Sequence, residues 1–456
     1  MKLCKLFIVA LCCYASASAQ QQDEKIIKSI SDEILMNGTA YDNLRYLCKK
    51  IGPRLSGSAN AANAIAATVK MLKQAGADTV YLQPCMVTHW ERGSKEVAFA
   101  YLPGNQKRHL NICALGNTVA TALAGVKAQV VEVKSMEALH ELGIAGLKNK
   151  IVFINIPMDP RYIETFIAYS ESGIGRRSGP AQAAKYGAKA VIVRSLASNI
   201  DQFPHTGATQ YNDSFPKIAA VAVSTADAEW LSAQLVKYPA TEIFLKTNCK
   251  LFADKPSFNV IGEMWGTEMP EQIVSVGGHV DSWDLAEGAQ DDGAGCVQSI
   301  EIIRCFKKLN LRPKRTIRAV LFMNEENGSK GGIAYAHHAE ITKEQHIFAL
   351  ESDAGGFTPR GFSLQMNESQ VAKVKSWAPL FYKYGVYHFV EGHAGSDVGH
   401  LRKLGTALAG LMPDSQRYFD LHHAANDVFE AVSKRELLLG AINMAAMVWL
   451  VSEYGL

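Results

Sequence analysis

From about residue 256 the chain repeats one pattern: an apolar strand, a polar loop, then a helix. QIVSVGG (272–278) runs into HVDSWDLAEGAQDD (279–292) and the helical stretch AGCVQSIEIIRCFKKL (294–309). TIRAVLFMN leads to EENGSKGG and IAYAHHAE, IFALESD leads to AGG, and TALAGLMP leads toward LHHAAND and a last long helix. Parallel strands need crossover connections and hide both faces, so this alternation predicts an α/β fold with a mostly parallel sheet flanked by helices. In such sheets ligands bind outside the carboxyl ends of the strands. Those ends are where His279, Asp281, Asp291, Asp292, Glu325, Glu326, Asp353, His422, His423 and Asp427 fall.

A lone acid at a strand end is commonly a helix cap or a solvated loop residue. The whole set is harder to explain that way. So many carboxylates in one cleft would repel one another and resist burial unless a cation joined them. Carboxylates with imidazoles and no clustered thiolate suit zinc, with manganese or cobalt as the other readings. The sequence has no GxxxxGKS loop for phosphate and no GxSxG elbow for a serine hydrolase.

The remaining chain has a different character. MKLCK, LFIVALCCY and ASASA form the charged, apolar and small-residue parts of a secretory leader over 1–19. Residues 20–117 begin helical and then turn strand-like. Residues 118–248 carry short apolar strands (GVKAQVVEV, KIVFINIP, AKAVIVRS, PKIAAVAVS) with almost no clustered histidine or carboxylate. This stretch reads as a separate, non-catalytic module, followed by the site-bearing part over 249–456. A late apolar run, LLLGAINMAAMVWLV, contains Asn443 and is short for a membrane span, which favours a buried helix. The net charge of +3 without a long single-sign run disfavours nucleic acid as a partner.

GGHVDSWD…GAQDDGAG, FMNEENGSKGG, ESDAGG, HHAAND and GPRLSGS (52–58) together resemble the co-catalytic di-zinc aminopeptidase and carboxypeptidase family. The likeness spans nearly the whole chain after the leader. It implies the zinc exopeptidase fold, with a protease-associated-like, β-rich module inserted over 118–248. It also implies two zinc ions bridged by Asp291, with His279 and Asp353 completing one site and Glu326 and His423 the other. Glu325 is then the general base, Asp281 orients His279, and the Asp291–Asp292 peptide is cis. The family's ligand histidine has an acid four residues later; Asp427 stands there for His423, whereas His422 would need position 426, which is Asn. Relatives often have a tyrosine where this chain has His422. That departure leaves oxyanion stabilisation open, with His422 as a candidate donor. Ser396 and Asp397 in EGHAGSDVGH are candidate substrate contacts, a structural turn being the other reading.

The implied activity is hydrolysis of short unblocked peptides, chiefly dipeptides, by a secreted or periplasmic enzyme. An aminopeptidase on longer peptides and a glutaminyl-cyclase-like acyl transferase are the alternatives, and a homodimer is left open.

Overall fold

The computed structural model describes residues 21–456; the leader expected at 1–19 lies outside them. An eight-stranded sheet runs in the order Thr79–Val87, Lys255–Met264, Arg315–Phe322, Met269–His279, Gln345–Glu351, Ala407–Pro413, Pro359–Gln365, His388–Glu391. The central four strands, from Arg315–Phe322 to Ala407–Pro413, are parallel. Lys255–Met264 and Pro359–Gln365 flank them antiparallel. The expected sheet is therefore present, with a parallel centre and antiparallel flanks.

Strand periodicity explains the layering. Ile317, Ala319 and Leu321 point into one core, while Val320 and Phe322 point into another. The first core is closed by helices Ala59–Ala75, Ala294–Lys308 and Lys434–Tyr454. The second is closed by helix Lys330–Thr342, through Tyr335, Ala336 and Ala339. Lys434–Tyr454 is the one helix among the described residues long and apolar enough to cross a membrane, and 83% of its most apolar stretch is buried in the protein. Its fully buried Asn443 donates to the carbonyls of Leu439 and Tyr384, at 2.9 and 3.2 Å. The six described cysteines are all free and buried.

A second eight-stranded sheet has the order Gln106–His109, Val97–Leu102, Glu242–Lys246, Val126–Val133, Ile151–Ile154, Ala190–Arg194, Ala219–Val223, Ile112–Ala114. It carries its own apolar cores and helices, among them Met136–Leu147, Thr165–Ser172, Gly179–Lys185 and Thr225–Lys237. We propose that this layer is the inserted module. Its strands begin at Val97, before the composition change at residue 118. Val97–Leu102 pairs with Glu242–Lys246, and Phe99 stacks on Phe244 at 5.0 Å. The module is also α/β in character: its four central strands are parallel, and helices occupy two of the three connections between them, over 136–147 and 165–185.

Candidate metal centre and substrate cleft

Four parallel strands deliver the polar residues to one edge. His279 ends its strand, Glu325 and Glu326 follow Arg315–Phe322, Asp353 follows Gln345–Glu351, and His422 and His423 lie beyond Ala407–Pro413. The glycines before His279 serve a close approach. A β-carbon on Gly278 would lie 2.1 Å from Asp292 Oδ2, which accepts the His279 N–H at 3.0 Å. Asp292 also accepts from the N–H of Gly295 at 2.9 Å. The Asp291–Asp292 peptide is cis.

Asp291 stands at the middle of the cluster. Its Oδ1 lies 3.2 Å from His279 Nε2, and its Oδ2 lies 3.3 Å from His423 Nε2. Asp353 Oδ1 is 3.3 Å from the same His279 nitrogen, and Glu326 Oε2 is 3.1 Å from the same His423 nitrogen. Two donor groups thus face opposite oxygens of one carboxylate. His422 Nε2 is farther from Asp291 Oδ2, at 3.7 Å, and its ring stacks on His423 with centroids 3.5 Å apart.

Charge and burial conflict throughout this cluster. Burial and the charge of Asp291 push Glu326 up to about 8, and burial raises Asp353 to about 6. Burial opposes ionisation of Asp291, but the facing imidazoles of His279 and His423 hold it well below the usual carboxylate range. Burial likewise opposes the charged form of His279, yet Asp353 and Asp291 hold it well above the usual imidazole value. Burial lowers His422 strongly, with the neighbouring His423 adding to it, so that ring stays neutral. Asp291 Oδ2 and Glu326 Oε2 are buried without a hydrogen bond. Orphaned carboxylate oxygens beside imidazole nitrogens are what a divalent cation would satisfy. His279, Asp291 and Glu326 bring donor atoms within 4.8 Å of one another, as do Asp291, His422 and His423, and also His279, Asp292 and Asp353.

The supporting contacts differ in detail from the sequence expectation. The His279 ring bonds to the main-chain oxygen of Asp281 at 3.1 Å, with that residue's carboxylate 3.7 Å away. The carboxylate instead accepts the N–H groups of Asn324 and Glu325, at 2.7 and 3.2 Å. Asp281 thereby fixes the turn that presents Glu325 and Glu326, because two adjacent N–H groups compete better for its oxygen than the distant ring. Asp427, four residues after His423, accepts the N–H groups of Gln290 and Asp291, at 2.7 and 3.1 Å. It holds Asp291 in place. Ser396 lines the cleft, while Asp397 is fully buried against Gly332 and is not part of the wall. The Ser396, Asp397 and Val398 N–H groups all bond to Glu351.

Three contributors escaped the sequence reading: Asp427 as a main-chain anchor, and two arginines. Arg54, in GPRLSGS, is fully buried and donates to the carbonyls of Val280, Glu287 and Gly288, at 2.6, 2.5 and 2.8 Å. It pins both ends of the site loop. Arg54→Met would strand those buried acceptors, and we expect it to lower unfolding free energy by about 3 kcal/mol or more. Urea unfolding measures this, and an unchanged midpoint would mean that other contacts hold the loop. Arg176, on the second-sheet side, lines the cleft and lies 3.3 Å from His423 Nδ1. It bonds to the Tyr169 hydroxyl at 2.7 Å and the Thr206 carbonyl at 3.3 Å, with no carboxylate partner among the described residues. The cleft is about 370 Å³, lined also by Glu325, Tyr418 and His393.

The model of Peptidase family M28 matches residues 259–448, the part that bears the centre. Carboxypeptidase Q of Homo sapiens is 35% identical over 415 residues, covering 91% of this chain and 84% of that protein. Carboxypeptidase Q of Xenopus laevis is 33% identical over 470 residues, covering 100% of this chain and 97% of that protein. The crystal structure of a peptidase M28 precursor from Shewanella amazonensis matches with a TM-score of 0.90 at 30% identity, covering 95% of this chain and 97% of that one. Similarity at this level covers nearly the whole chain, and the chain accordingly belongs to peptidase family M28.

Proposed function

We propose that the protein is a secreted, zinc-dependent exopeptidase that hydrolyses short unblocked peptides, chiefly dipeptides. The observation that carries this reading is the two-sided environment of Asp291, with a donor group at each of its oxygens. In this reading His279 and Asp353 would hold one zinc ion, Glu326 and His423 the other, and Asp291 would serve both. Zinc bound there would supply Lewis acidity toward water and the scissile carbonyl. Glu325, at the cleft wall, would take a proton from the attacking water and return it to the leaving amine. Asp281 keeps Glu325 at its post through the turn's N–H groups. His422, neutral and buried beside the cleft, is positioned to donate one N–H to the developing oxyanion.

Substrate length follows from the module's contribution. The carboxylates offer partners for a free α-amine, and Arg176 offers a fixed positive charge for a free α-carboxylate. Both lie in one small cleft. A peptide with both termini free and close together satisfies both ends. A blocked end leaves a buried charge unpaired, at about 1–3 kcal/mol, or roughly tenfold to hundredfold in kcat/KM.

The test is product analysis on a free dipeptide, its N-acetylated and C-amidated forms, and a tripeptide. Arg176→Met should raise KM for the free dipeptide by about tenfold to hundredfold and change KM for the amide little. Efficient hydrolysis of N-acetylated dipeptides, or internal cuts in a denatured protein, would remove the substrate assignment. The tripeptide distinguishes removal of the first residue from removal of the last, and cyclisation of an N-terminal glutamine would indicate acyl transfer instead.

A further inference from the structure

We propose that the inserted module is a working part of the metal centre, through residues 205–207, which hold the His422–His423 backbone and orient the His423 ring. This rests on the reading of His423 as a zinc ligand. His423 has φ +63°, in the left-handed region that a residue with a β-carbon seldom occupies unless its surroundings impose it. Three contacts from the module impose it here. The Thr206 N–H donates to the His423 carbonyl at 2.9 Å. His205 Nδ1 donates to the His422 carbonyl at 2.6 Å. The Thr206 carbonyl lies 3.3 Å from His423 Nδ1.

The third contact orients the ring. His423 Nδ1 lies 3.3 Å from both the Thr206 carbonyl and Arg176 Nη1, and this leaves Nε2 facing Asp291 and Glu326. The partner His205 Nε2 is buried and unbonded, which agrees with its ring proton residing on Nδ1. Residues 205–207 are themselves anchored within the module. The His205 N–H donates to Ser195 Oγ at 2.9 Å, Thr206 Oγ1 donates to the Ala114 carbonyl at 2.8 Å, and the Gly116 N–H donates to the Gly207 carbonyl at 3.0 Å. Gly207 permits the approach: a β-carbon there would lie 2.8 Å from His423 Nδ1 and 2.2 Å from Arg176 Nη1. The other histidine of the centre needs none of this, because His279 bonds to Asp281 within its own loop. The module should therefore govern one ion and leave the other alone.

The experiment is zinc titration of the full-length protein against a competing chelator, for His205→Ala, His205→Asn and Gly207→Ala beside wild type. His205→Ala and Gly207→Ala should weaken one of the two ions by about 10–100-fold and leave the second unchanged. His205→Asn, whose amide can donate where Nδ1 did, should restore most of the loss. Wild-type affinity at both ions in His205→Ala and Gly207→Ala would overturn the proposal, as would equal weakening of both ions, the mark of general loosening. Should His205→Ala fail to fold, Gly207→Ala with the Asn variant decides by the same criteria. His423→Ala is the control: if it binds both ions as wild type does, the ligand reading has failed rather than the module's role.

Discussion

Glu325→Gln should lower kcat by about 10²–10⁴-fold while the protein keeps its fold and its zinc. Glutamine fills the same space and leaves the main chain free to bond to Asp281 through Asn324 and Glu325. It cannot take up a proton from the attacking water. Glu325 is only partly buried at the cleft wall, whereas Glu326 is turned inward, with Oε1 accepting the Trp283 N–H at 3.0 Å and Oε2 facing His423. The neighbouring change Glu326→Gln should therefore do the opposite: reduce zinc affinity, with activity partly recovered at high zinc. Steady-state kinetics with metal analysis on the same samples separates the two. A Glu325→Gln enzyme retaining half the wild-type kcat would take this residue out of the reaction.

Asp291→Ala should be more damaging, because one side chain serves both halves of the centre. Its removal takes a donor from the His279 group and another from the His423 group. On the proposed two-ion reading, metal content should fall toward one ion or none, with activity below detection at ordinary zinc concentrations. The folded chain should survive, since Asp427 bonds to the main-chain N–H of residue 291, not to its side chain. Metal analysis after dialysis, with circular dichroism as the check on folding, decides it. A variant retaining both ions would show that Asp291 does not bridge.

The legible part of the centre was the part that announces itself locally. His279, Glu325, Glu326 and Asp353 each stand where an apolar strand breaks into polar sequence, and the structure gathers them at one sheet edge. What the sequence concealed depends on distant main chain. Arg54 grips carbonyls more than 220 positions away, and nothing in GPRLSGS says that its guanidinium is buried. Arg176 sits in a stretch with no clustered acid or histidine, and its closeness to His423 spans 247 positions. Asp427 shows a rule giving a contact other than the expected one. Its spacing singled out His423, yet its carboxylate grips the backbone of the loop that carries Asp291. The strands at 97–114 join the second sheet for the same reason, since the sheet a strand joins is set by pairing with residues far along the chain.

The register of two strand pairs bears on how such a chain can be made. Val87 and Lys255 are partners in the main sheet, so joining them directly would close a loop of well over a hundred residues. Val97 and Lys246 are partners in the second sheet, about ten residues inside that pair on each side. Once the second sheet has formed, its two ends emerge side by side. The entropy of closing the outer pair is then that of two short connectors, since closure cost follows the length of chain still free. During synthesis all of the second sheet leaves the ribosome before Lys255 does, so the inner unit can be complete when the outer strands first meet. A destabilising change deep in that unit would therefore slow the main sheet's assembly without touching any residue of it, and would be seen as a refolding defect before any loss of catalysis.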